Sequence, residues 1–106
     1  MTLWLDDIRP PWKHGFLGAE WAKTAREAIE LLSTGRVEYA SLDHDLSEAA
    51  TMGTPAPGEM TGYTVVCWME EHDIWPALGV RVHSMNPAGK AKMIAAIQRK
   101  YGRVFP

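Results

Sequence analysis

Apolar residues recur along this chain in two rhythms. Three short runs, Leu3-Trp4-Leu5, Val37 to Leu42 and Val80-Arg81-Val82, have the compactness of buried strands. Three other stretches repeat at helical spacing: Ala25, Ala28, Ile29 and Leu32; Val65, Trp68, Met69 and His72; Met93, Ile94, Ile97 and Tyr101. The punctuation between them agrees. Thr24 and Glu27 form a capping-box pattern ahead of the first helix, and Gly35 supplies its stop. The second helix is predicted from Thr61 or Gly62 to about Glu71. Asn86-Pro87 opens the third, as an N-cap followed by proline at the first helical position. Ala19 to Lys23 adds a further short strand.

The remainder reads as connections. Pro10-Pro11 forces an extended or turn path after Arg9, and Trp12 to Gly18 forms a loop long enough to fold over a strand end. Residues 47–61, broken by Pro55, Pro57 and Gly58, make a loop of the length usually reserved for function or motion. Asp73 to Gly79, interrupted by Pro76, is a connector. Strands alternating with helices imply an α/β domain with a parallel sheet of about four strands, covered by helices. Its strand C-termini share one edge, where ligands bind at the point at which strand order reverses. Each strong strand run ends there in polar residues: Asp6-Asp7, Asp43-His44-Asp45 and His83-Ser84.

Composition narrows the classes. A length of 106 residues predicts a single domain, 1–106. The 46% hydrophobic content and five tryptophans suffice for a packed core. A net charge of −2 argues against a chain whose main task is coating nucleic acid, so no extended nucleic-acid surface is expected. A nucleotide or other small phosphate remains compatible, because one pocket can be basic within an acidic protein. Arg99, Lys100 and Arg103 suit a helix C-terminus. The single Cys67 excludes an internal disulfide and a four-cysteine zinc site. Within Val65-Val66-Cys67-Trp68-Met69 it is expected to be buried and inert. No apolar stretch is long enough for a membrane span and no signal pattern opens the chain, so a cytoplasmic location is expected.

The polar strand ends suggest chemistry. Clustered carboxylates suit a hard cation such as Mg²⁺, which takes a few carboxylates and keeps waters for phosphate exchange. Asp6, Asp7 and Asp43 are the first-choice ligands. The plainer alternative pairs Asp7 with Arg9 and uses Asp45 to cap the following loop. Asp43-His44-Asp45-Leu46-Ser47 also mimics an aspartyl-nucleophile phosphatase signature, although the other parts of that fold stand in the wrong order. His83 and His44 can each serve as general acid or base. Alternation along a strand sets His44 apart from Asp43 and Asp45 and favours His83. Ser84, Asn86 and the N–H groups opening the last helix outline a phosphate cradle, to which Lys90 adds charge. His14 and His72 receive no role. The tryptophans read as core and lid, Trp12 near Asp7 being the one candidate for base stacking.

These residues resemble a known family. Leu3-Trp4-Leu5-Asp6-Asp7-Ile8-Arg9-Pro10, Ser41-Leu42-Asp43-His44-Asp45-Leu46, Thr61-Gly62-Tyr63 and His83-Ser84-Met85-Asn86-Pro87-Ala88-Gly89 look like the cyclic-phosphate-processing receiver-like family, a relative of response-regulator receiver domains. The resemblance implies a flavodoxin-like three-layer sandwich with a reduced sheet. The receiver's first helix would be reduced to the Pro10–Gly18 loop, and its fifth strand, with its lysine, has no counterpart after Tyr101. Chemistry on a cyclic phosphate of a nucleotide or an RNA end is implied rather than phosphorelay signalling. Asp6, Asp7 and Asp43 would hold Mg²⁺. Asp43, Asp45, His44 and His83 would form the catalytic set. Arg9, Thr61, Ser84, Asn86 and Lys90 would hold the substrate. A non-catalytic module that binds a cyclic nucleotide is the alternative, and a phospho-accepting receiver with Asp43 as acceptor is a third reading.

Overall fold

The computed structural model describes residues 1–46 and 60–106. Four strands, β1 (Thr2–Leu5), β2 (Glu20–Ala22), β3 (Tyr39–Leu42) and β4 (Gly79–Val82), form one parallel sheet in the order β2-β1-β3-β4. Three helices, α1 (Ala25–Ser33), α2 (Gly62–His72) and α3 (Pro87–Tyr101), accompany them. The predicted 47–61 loop falls largely outside the described residues. Strand order reverses between β1 and β3, so the crevice at their C-terminal ends is the natural ligand position.

The sequence signals act locally as expected. Thr24 Oγ1 accepts from the Glu27 N–H, and Glu27 Oε2 reaches back to the Lys23 N–H, one residue before the expected partner. Thr61 Oγ1 caps α2 by accepting from Tyr63 N–H, while Thr64 Oγ1 accepts from the Thr61 N–H. Asn86 caps α3 through its Oδ1, which accepts from the Gly89 N–H.

The two faces of the sheet differ in kind. Leu3, Leu5, Ala40, Leu42, Val80 and Val82 point to the helices and meet Ala28, Leu32, Val65, Met69, Met93 and Ile97 in one apolar core. The opposite face carries Trp4, Ser41 and Arg81, register partners across β1, β3 and β4. No helix covers it among the described residues. The third layer is the Pro10–Gly18 segment, a 3₁₀ turn (Pro11–His14) followed by Gly15, whose φ of +84° ends the turn. From that segment His14 and Phe16 pack on Trp4 at 5.4 and 5.0 Å between ring centroids, and Phe16 stacks on Tyr39.

Cys67 corrects an expectation: it is exposed. The apolar string from Val65 to Met69 is longer than one helical turn, so it cannot all face inward. Val65, Val66 and Met69 take the buried side, and Cys67 is turned out beside Tyr63. His72, the last residue of the same helix, is likewise exposed and stacks on Trp68 at 4.6 Å. No described helix is long and apolar enough to cross a membrane.

Candidate functional site

The sheet ladder runs one residue past each strand. Asp6 N–H donates to Ala22 O, Asp43 N–H to Leu5 O and His83 N–H to Leu42 O, all at 2.9–3.0 Å. The backbones that carry these side chains are therefore as fixed as the sheet itself. Alternation then sends Asp6, Asp43 and His83 to the same side as Trp4, Ser41 and Arg81. One atom from each of Asp6, Asp43 and His83 lies within 4.8 Å of the others, a cluster that could hold a metal.

Asp6 is the most heavily engaged member. Its Oδ1 accepts from the Ile8 and Arg9 amides at 2.9 and 2.8 Å, and its Oδ2 from Arg9 Nε at 2.8 Å and His83 Nε2 at 3.1 Å. Burial alone would raise its pKa. The bond from His83, the two amides and the Arg9 charge outweigh burial and hold it at about 2. Asp43 goes the other way. Burial and then the neighbouring Asp6 charge push it up, against the smaller pull of Arg9, His83 and the His44 amide. Asp7 is raised too, by burial and by the charges of Asp6 and Asp43.

Arg9 binds this cluster together. Its Nε meets Asp6 and its Nη2 meets Asp43 Oδ2 at 3.2 Å, while Nη1 has no partner among the described residues. The plainer expectation of an Asp7–Arg9 pair is not what forms. A cleft of about 240 Å³ opens above, lined by Asp6, Asp7, Ile8, Arg9, Asp43, Asp45 and Met85. Its floor is charged, and its rim carries the exposed side chains Ile8 and Met85.

The two histidines sit differently. His83 Nε2 is on Asp6, and its Nδ1 is 2.7 Å from Ser41 Oγ. Both nitrogens are engaged, in a ring that is almost wholly buried. His44 Nδ1 is 2.7 Å from Asp45 Oδ1, and its Nε2 has no partner among the described residues. The ring rests against Gly89, where an added Cβ would collide with it. Alternation thus separates His44 from the cleft, as anticipated, while Asp45 lines it.

Three of the other expected ligand-binding residues, Asn86, Ser84 and Thr61, make hydrogen bonds within the fold. Asn86 uses Oδ1 on the Gly89 amide and Nδ2 on Asp45 Oδ1, and its carbonyl accepts the Lys90 N–H. Two donors of the expected phosphate cradle are thereby consumed. Ser84, buried, accepts from the Asn86 N–H. Thr61 is spent on its cap, and neither it, Ser84 nor Lys90 lines the cleft. Trp12 is exposed and packs edge-on to Trp21 at 5.6 Å, also outside the lining.

Gly62 and Gly89 went unassigned in the sequence, yet both shape the site. A Cβ on Gly62 would overlap the Asp43 carbonyl, and its N–H donates to His44 O at 2.9 Å. The first turn of α2 thus presses on the Asp43 carbonyl, and that of α3 on the His44 ring. Trp4 and Ser41 were also missed. Period-two spacing could have found them, since Trp4/Asp6, Ser41/Asp43 and Arg81/His83 are each two residues apart and so share a face.

The profile of the family described as "Cyclic-phosphate processing Receiver domain" matches residues 1–99. The chain belongs to that family. Among solved structures, this cyclic-phosphate processing receiver domain superposes on the signal receiver domain of a protein described as a Luxo repressor, from Vibrio parahaemolyticus. The TM-score is 0.61 at 17% identity, over 90% of this chain and 70% of the other. At that identity the likeness establishes the receiver, flavodoxin-like fold. No curated protein matches the chain.

Proposed function

We propose that the strand-end cleft binds a cyclic phosphate, of a nucleotide or of an RNA end, together with Mg²⁺, and opens the ring by hydrolysis. The observation that carries this reading is the charge of the cleft. Four carboxylates and one guanidinium converge at the switch point of a domain from a cyclic-phosphate processing family. Arg9 is already matched by Asp6 and Asp43, so an anion entering alone would meet net repulsion. A divalent cation removes that deficit.

The donor set suits such an ion. Mg²⁺ needs one or two carboxylates plus phosphate oxygens and water. Asp6 is saturated by its four donors, so Asp43 and Asp7 are the carboxylates that would hold the ion, with Asp6 orienting Arg9. When bound, the ion would neutralise charge growing on the phosphoryl oxygens. Arg9, whose Nη1 has no partner among the described residues, would offer those donors to the same oxygens. Asp45 is the base that faces the cleft: its Oδ1 is held by His44 and Asn86, which leaves Oδ2 to accept a proton from the attacking water. The water oxygen bonds to phosphorus and one ring P–O bond breaks. The freed oxygen is protonated from solvent at the open mouth, giving a phosphomonoester. His83, with both nitrogens engaged, serves to orient Asp6, and the proton-handling role passes to His44–Asp45.

The test is incubation with 2′,3′- and 3′,5′-cyclic nucleotides and with an RNA ending in a 2′,3′-cyclic phosphate, in Mg²⁺ or EDTA, followed by phosphorus NMR. Turnover that Asp43→Asn abolishes supports the reading. Saturable binding without turnover replaces it with a binding module, and a stable acyl-phosphate after acetyl phosphate treatment replaces it with a phospho-accepting receiver.

A further inference from the structure

The residues that grip Asp6 are themselves held from the other face of the sheet. Trp4, 1% exposed, lies outside the helix-side core. Its Nε1–H donates to the Arg9 carbonyl at 2.8 Å. Its ring stacks on the His83 imidazole at 4.0 Å between centroids, with the planes 4° apart. Arg9 and His83 are the two side chains that meet Asp6 Oδ2. One indole therefore touches both of them, one through an edge donor and the other through its face, as an amphipathic aromatic ring allows.

Ser41 completes the arrangement. It is fully buried, and a buried hydroxyl must find a partner. Asp6, as a carboxylate, can only accept, so the network assigns the His83 proton to Nε2. Nδ1 then accepts from the Ser41 O–H, 2.7 Å away. The ring is fixed in tautomer by Asp6 and Ser41 and in plane by Trp4. This chain of contacts resembles a serine–histidine–aspartate relay, but its hydroxyl is sealed inside the sheet, so it orients and does not attack.

We propose that Trp4 is a positioning residue of the cleft, seating His83 and anchoring the Arg9 backbone so that the Asp6–Arg9–Asp43 bridge keeps one geometry. Its catalytic consequence rests on the hydrolytic reading, whereas its structural core does not. Two readouts separate them. The Arg9 Nε–H, held by Asp6 Oδ2 at 2.8 Å, gives a protected proton resonance, identified by its loss in Arg9→Lys, and kcat and KM are read on 2′,3′-cyclic AMP. Trp4→Phe keeps an aromatic face but removes the donor. It is expected to speed Arg9 Nε–H exchange at least tenfold and to lower kcat at least tenfold, with KM changed less. Ile97→Val, a core change on the far side of the sheet, serves as the control for destabilisation alone and should leave both readouts as in the wild type. Should Trp4→Phe fail to fold, Trp4→Tyr takes its place: it keeps a ring on His83 but removes the indole N–H from the Arg9 carbonyl, and it should speed Arg9 exchange likewise. Unchanged Arg9 protection in the folded variant, or equal loss of it in Ile97→Val, overturns the proposal. If the wild type does not turn over the cyclic nucleotide, the hydrolytic reading fails, and the exchange measurement still decides the role of Trp4.

Discussion

Replacing Arg9 by alanine is the most informative single perturbation of the cleft. It strands two carboxylates whose side chains are 1% and 7% exposed, Asp6 and Asp43, with only His83 and backbone amides for compensation. Breaking a buried ion pair by removing one partner costs about 3–5 kcal/mol. Arg9 is itself 33% exposed, so solvent screens part of the interaction and about 2–3 kcal/mol is the fitting expectation. For a domain of this size that lowers Tm by roughly 10–20 °C. The penalty belongs to the ionised carboxylates. Asp43 and Asp7 are already raised, and losing Arg9 raises them further. The variant therefore takes up protons on acidification, and its deficit shrinks as pH falls through the carboxylate range. Mg²⁺ should also stabilise Arg9→Ala more than the wild type, because the cation no longer competes with the guanidinium for Asp43. Urea denaturation near neutral and acidic pH, in EDTA and in Mg²⁺, measures all three effects. Equal stability of variant and wild type in EDTA at neutral pH, or identical Mg²⁺ shifts, would refute the reasoning.

Further outcomes are expected. Gly62→Ala should destabilise by roughly 1–3 kcal/mol or more, since its Cβ meets the Asp43 carbonyl rather than a movable side chain; Gly89→Ala, whose Cβ meets the His44 ring, should lose less stability and cut turnover roughly tenfold or more by breaking the His44–Asp45 pair, which chemical denaturation and steady-state kinetics compare. Asp6, depressed from 3.8 to about 2, contributes stability that is present above pH 3.8 and is lost as pH falls towards 2, about 2 kcal/mol in all. Asp7 and Asp43 carry the opposite sign, so the contribution is read as the difference between wild type and Asp6→Asn, which should narrow by that amount across the window. Cys67 should react with a thiol reagent in the native protein at close to the rate seen after unfolding, and strong native protection would contradict its exposed position.

Much of the architecture was legible because it rests on periodicity and caps. The runs at Leu3, Val37 and Val80 announced strands, and Thr24, Thr61 and Asn86 announced helix starts that form where the sequence put them. The convergence of Asp6, Asp43 and His83 followed from parallel topology alone. What was less legible depends on pairing choices between equivalent partners. Sequence could not say that Arg9 would bridge Asp6 and Asp43 in preference to Asp7. Nor could it show that Asn86 would spend both ends of its amide internally. The exposure of Cys67 and the inward role of Trp4 were hidden for a shared reason. An apolar string shows hydrophobicity at once but reveals the facing of each residue only when its period is counted.

The most direct test of the account is hydrolysis of a 2′,3′-cyclic nucleotide in ¹⁸O-enriched water with Mg²⁺, followed by the isotope shift in phosphorus NMR. The account predicts a phosphomonoester carrying one ¹⁸O on phosphorus, formed by the wild type and lost in Asp43→Asn and in EDTA. No product, or product formed equally by Asp43→Asn, would contradict it.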